Sequence, residues 1–131
     1  MRGQWVERYL DDVADLLRTE SGGIFVRDPV LRFTEDRTLG WLRAELEYHP
    51  SGNRLHVFLA VEILRDAPGW RRYGFHCTTA EGRRLFTYDN APHHRGLPGF
   101  PDHKHTGEAE IQGSDRPSIH DVLREAQALN R

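Results

Sequence analysis

Residues 41–64 read Trp-Leu-Arg-Ala-Glu-Leu-Glu-Tyr-His-Pro-Ser-Gly-Asn-Arg-Leu-His-Val-Phe-Leu-Ala-Val-Glu-Ile-Leu, and their spacing decides the fold. From Trp41 to His49 the apolar Leu42, Ala44, Leu46 and Tyr48 alternate with Arg43, Glu45 and Glu47. That two-residue period is a strand with one face on a core. Pro50-Ser51-Gly52-Asn53 is turn chemistry, and Leu55 to Leu64 returns as the second strand of a hairpin. The second strand is apolar on both faces apart from His56 and Glu62, which places it centrally in a sheet.

Working outward, Asp66-Ala67-Pro68-Gly69 turns the chain into a strand from Trp70 to Thr79, and Ala80-Glu81-Gly82 turns it again into Arg84 to Asp89. Connections this short imply antiparallel pairing in a meander. Ile24 to Phe33 is apolar but broken by Pro29, so it is an edge strand or two pieces. Glu108 to Gln112 offers a last short strand. Before the sheet, Trp5, Val6, Tyr9, Leu10, Val13, Leu16 and Leu17 recur at helical spacing between Gln4 and Thr19, and Ser21-Gly22-Gly23 ends that helix. After it, Pro117 opens a helix with the stripe Ile119, Val122, Leu123, Ala126 and Leu129. The expected fold is α+β: an antiparallel meander of four to five strands with an N-terminal and a C-terminal helix, in a single domain over residues 1–131.

Composition restricts what such a domain does. The chain has 131 residues, 37% hydrophobic and 29% charged, an ordinary folded balance. No apolar run approaches the roughly 20 residues that span a bilayer, and the N-terminus carries no apolar signal region. With Cys77 as the only cysteine there is no internal disulfide framework. A cytoplasmic protein without a membrane partner is expected. The net charge of −2 argues against a globally basic nucleic-acid binder. Charge is segregated, however. Residues 65–84 carry five arginines against two acids, whereas the first helix is acidic.

Chemistry gathers at residues 88–105, Tyr-Asp-Asn-Ala-Pro-His-His-Arg-Gly-Leu-Pro-Gly-Phe-Pro-Asp-His-Lys-His. Prolines and glycines there predict an irregular loop from Asn90 to Gly107. Four of the eight histidines fall in it: His93, His94, His103 and His105. So does Lys104, the one lysine among 18 basic residues. Arginine is a fixed forked cation, whereas lysine is a compact point charge. Histidines serve as acid and base near neutral pH, and a carboxylate such as Asp89 or Asp102 orients one ring. Lysine and imidazolium stabilise charge on a phosphate. Together these suffice to cleave RNA with no cofactor or metal, using the ribose 2′-OH that DNA lacks. The expected catalytic set is therefore His93 or His94 with His105 as acid and base, Lys104 as phosphate clamp and Asp89 as orienter. Tyr88, Asn90, His103, Arg72 and His76 are the expected substrate contacts. The alternative is a histidine-rich metal-binding regulatory or interaction module without catalysis, its ligands spaced His-His-x8-His-x-His. His49, His56 and His120 have ordinary structural positions, Cys77 fills the core, and Glu62 is expected to pair with an arginine.

These residues resemble the TumE family of toxin–antitoxin toxins. The resemblance rests on Tyr73-Gly74-Phe75-His76, Gly82, Tyr88-Asp89-Asn90-Ala91-Pro92-His93-His94, Phe100-Pro101 and His103-Lys104-His105. It extends to Glu62 and to Ile119-His120-Asp121-Val122-Leu123, and covers most of residues 40–125. The chain departs from the family's usual pattern at Thr87 and Asp102. The resemblance implies the toxin of a type II system that acts on cellular RNA and is neutralised by a small cognate antitoxin protein. Whether a second copy of the chain is also a partner, as a homodimer, stays open.

Overall fold

The computed structural model describes residues 2–92, 96–97, 99–107 and 110–131. Helix α1 (Arg2–Glu20) is followed by β1 (Ile24–Phe25), β2 (Val30–Phe33), β3 (Leu39–Glu47), β4 (Arg54–Leu64), β5 (Ala67–Thr78), β6 (Arg84–Asp89), β7 (His103–Thr106), β8 (Glu110–Gly113) and α2 (Ile119–Ala128). The fold is α+β as expected, but among the described residues the antiparallel sheet has eight strands rather than four to five. Its order is β1-β3-β4-β5-β6-β7-β8, with β2 also on β3.

The extra strands come from short segments whose own pattern is weak. Pro29 splits the first apolar stretch, and both halves pair with β3. Residues 103–106, expected to be irregular, form β7 because the prolines stop at Pro101 and the next four residues find ladders on both sides, β6 and β8. The β4–β5 turn sits earlier than expected. Arg65 and Asp66 adopt φ of 50° and 65°, the left-handed pair of a tight hairpin, so Ala67 is already in β5.

Both helices lie on one face of the sheet. Val6, Leu10, Val13 and Leu17 of α1, together with Val122, Leu123 and Ala126 of α2, join Leu42, Leu46, Val57, Leu59, Tyr73, Phe75 and Phe86 in a single buried cluster. Each fully buried aliphatic side chain contributes about 1.5–3 kcal/mol. Gly40 lets α1 approach closely: a Cβ there would stand 2.9 Å from Leu10 Cδ1 and 2.8 Å from Phe33 Cδ1. Helix α2 starts at its Ser118 cap, whose side chain accepts from the Asp121 N–H. Glu62 lies 3.9 Å from Arg71, the arginine pairing expected for it.

Cys77 is fully buried in this core. Burial first, and the charge of Glu125 second, push its thiol up to about 11. Folded protein should therefore resist iodoacetamide at neutral pH and react only after denaturation, which intact-mass spectrometry would show. Rapid modification of the native protein would contradict this packing.

Candidate functional site

Strand alternation sorts the side chains of the sheet into two faces, and the registers align those on the helix-free face into rows. Glu45 pairs with His56, His56 with His76, His76 with Thr87, and Thr87 with His105, across β3 to β7. The adjacent row runs Arg43, Phe58, Gly74, Asp89 and His103. Side-chain contacts bear out the shared face. His56 Nδ1 lies 3.1 Å from Glu45, the His56 and His76 rings are 5.9 Å apart, and His76 Nδ1 bonds the Thr87 hydroxyl. The Arg43 guanidinium sits 4.5 Å from the Phe58 ring centroid.

At the β6–β7 end the rows close on three groups. His103 is only 2% exposed, with Nε2 2.8 Å from Asp89 Oδ1 and Nδ1 3.0 Å from the Pro101 carbonyl oxygen. Asp89 also accepts the Ala91 N–H at 2.9 Å. Both ring nitrogens of His103 thus face oxygen acceptors. Protons donated by the ring, or a cation held between Nε2 and Asp89, satisfy them. His105 stands edge-on to His103, with centroids 5.1 Å apart at 79°. One ligand atom each from Asp89, His103 and His105 lies within 4.8 Å of the others, a nitrogen and oxygen donor set that suits zinc or nickel.

The other expected site residues are divided. His76 and Arg72 share the helix-free face, with Arg72 opposite Ala60. Burial, followed by the charges of His56 and Arg84, holds His76 below its ordinary pKa. Lys104 and Tyr88, by contrast, point the other way. They pair with each other across β6 and β7, one residue out of step with Asp89 and His103, so the pleat sends them toward α2. There the Lys104 ammonium donates to both Glu125 oxygens, at 3.1 and 2.9 Å, and the Tyr88 hydroxyl donates to Oε1 at 2.6 Å. The expected convergence of the ammonium with the imidazoles is therefore not found, and Tyr88 does not present its ring to a base on the histidine face. Asn90 is engaged by backbone: its Oδ1 accepts the Tyr73 N–H and its Nδ2 donates to the Arg71 carbonyl. These two bonds tie the chain after β6 to β5. Asp102 accepts the Tyr73 hydroxyl at 2.8 Å. His93 and His94 lie outside the described residues.

Arg43, Phe58 and His56 share the site's face without having been expected there. Their signal was the polar parity of β3 and β4, but relating it to residues 89–105 requires the register of four successive hairpins. His49 and His120 have the ordinary positions expected of them, next to Glu47 and Glu20.

Fold and site together define a two-layer α+β protein with a histidine-based centre on its open sheet face. A family model described as toxin TumE matches residues 13–130, nearly the whole chain, and the chain belongs to that family. It is the toxin component of a toxin–antitoxin system, which implies a cognate antitoxin partner. No curated protein and no solved structure matches the chain. No helix among the described residues is long and apolar enough to cross a membrane.

Proposed function

We propose that the protein is a metal-independent endoribonuclease toxin of a type II system, cutting cellular RNA at Asp89, His103 and His105. One observation carries this: a carboxylate and two imidazoles, one ring buried against the carboxylate and the other edge-on to that ring, converge within 4.8 Å on a face that neither helix covers. Asp89 and the Pro101 carbonyl fix the His103 ring, and His103 in turn fixes the position of His105. His105 takes the proton of a ribose 2′-OH. The 2′-oxygen bonds to phosphorus, the bond from phosphorus to the 5′-oxygen breaks, and an acid returns a proton to that leaving oxygen. The sequence offers His93 or His94 as that acid. His76 and Arg72, on the same face, contact the RNA strand. Lys104 acts only through Glu125, as a brace between β7 and α2.

The products would be a 2′,3′-cyclic phosphate and a 5′-hydroxyl. Purified protein should cut RNA in EDTA and leave the same sequence intact as DNA. Gel analysis with end-group mapping would check both, and cleavage of DNA or loss of cleavage in EDTA would contradict the proposal. The same three donor atoms favour one alternative, a metal-binding module without catalysis. That module would bind zinc stoichiometrically, change stability on chelation and cut nothing.

A further inference from the structure

Gly74 lies in the middle of β5, between Phe58 on β4 and Asp89 on β6. Glycine weakens a strand interior and often marks a place where a ligand approaches closely. Neither usual structural reason holds here. Its φ is not among the chain's positive values, and a Cβ built on it would meet nothing within 4 Å. The missing side chain instead opens the floor of a cleft of about 410 Å³, walled by Arg43, Glu45, His56, Phe58 and His76. That volume lies within the roughly 300–1,000 Å³ of small-ligand clefts. The cleft combines the half-buried Phe58 ring, the Arg43 guanidinium stacked on it and two imidazoles. Two carboxylates line it as well: Glu45 is held by Arg54 at 2.9 Å and by His56, and Asp28 stands beside Arg27 at the cleft's β2 side.

We propose that this cleft is the seat of one unpaired base of a single-stranded RNA. The base lies beside Phe58 over the bare backbone of Gly74, and its strand runs on to Asp89, His103 and His105. Aromatic and guanidinium surfaces stack on any base, and imidazoles and arginine meet its phosphates. Asp89 is the next-strand neighbour of Gly74, about 5 Å away, so a base seated here brings its own backbone to the histidine centre. A duplex keeps its bases stacked inside and cannot fill the seat. The inference rests on the ribonuclease reading for the identity of the polymer.

Gly74→Val tests it, because the position has room and a β-branched residue suits a strand. Binding is read by fluorescence anisotropy with a short unstructured 2′-O-methyl oligonucleotide, which has no 2′-OH to attack and so reports affinity apart from cleavage. Parent protein should bind it, and bind a duplex of the same sequence much more weakly. Gly74→Val should lose about tenfold or more in affinity, the size of one lost stacked base, with an unchanged or higher Tm. Phe58→Ala should lose a similar factor while still folding. Unchanged affinity in a folded Gly74→Val protein would overturn the seat, as would equal binding of the duplex or no binding by the parent. So would a Gly74→Val protein that binds RNA normally but escapes its antitoxin, since the cleft would then hold the antitoxin. Failure of the cleavage chemistry shows separately, as an oligonucleotide that is bound while its unmodified counterpart is never cut.

Discussion

His105→Ala should abolish the toxicity of the induced protein and slow RNA cleavage by about 10²–10⁴-fold, the usual contribution of a positioned acid or base. His105 is half-buried on the helix-free face, while the core that holds the sheet lies on the other. Truncating its ring removes the edge contact with His103 but leaves the Asp89–His103 pair and the β6–β7 ladder in place. The variant should therefore unfold at nearly the parental temperature. Growth after induction, cleavage of a labelled RNA and thermal unfolding together check this. A folded His105→Ala protein that still arrests growth would remove His105 from the chemistry.

The second large effect concerns stability. Lys104→Ala should cost about 2 kcal/mol, the scale of a lost hydrogen-bonded ion pair, and lower Tm by several degrees. The Lys104 side chain is 16% exposed and that of Glu125 29%. Burial works against the ammonium, but its bonds to Tyr88 and Glu125 outweigh it and hold Lys104 above its ordinary pKa. With the folded value raised, the contribution is present throughout neutral pH and fades only as strong base deprotonates the amine. Alanine leaves the Glu125 carboxylate partly desolvated, with the Tyr88 hydroxyl as its remaining bonded partner among these three. The double change Lys104→Met with Glu125→Leu removes both charges and should recover most of the loss. Urea titration of the two single variants and the double one measures the coupling. Additive losses would show that the pair does not brace α2 against the sheet.

The hairpin of β3 and β4 and both helices were legible because each is long and keeps one period. Leu42 to Tyr48 could only be a strand, and Val6 to Leu17 only a helix. β1, β2 and β8 show in the sequence only as an apolar stretch broken at Pro29 and one last short strand, and β7 does not show at all; with two to four residues each they carry no period and rest on ladders offered by longer neighbours. The residues of the candidate site stand close together in the sequence, but their arrangement does not show there. Clustering in sequence brought Asp89, His103 and His105 to attention correctly as neighbours in space. It also drew in Lys104 and Tyr88, which a strand sends to the opposite face. Had residues 103–106 been read as a strand, alternation alone would have separated Lys104 from its flanking histidines. The contribution of Phe58, Gly74 and His56 to that face lay beyond reach, because it depends on registers fixed by turns such as Arg65-Asp66.

That RNA is cut on the helix-free face is tested most directly by single-turnover cleavage of one labelled RNA in EDTA. Parent, Asp89→Asn and Lys104→Met proteins are compared at a temperature where all three are folded. Asp89→Asn should be slowed at least about tenfold, because the amide no longer anchors His103 as the carboxylate does, while Lys104→Met should cut at close to the parental rate. A fast Asp89→Asn enzyme beside an inactive, folded Lys104→Met enzyme would put the chemistry on the other side of the sheet.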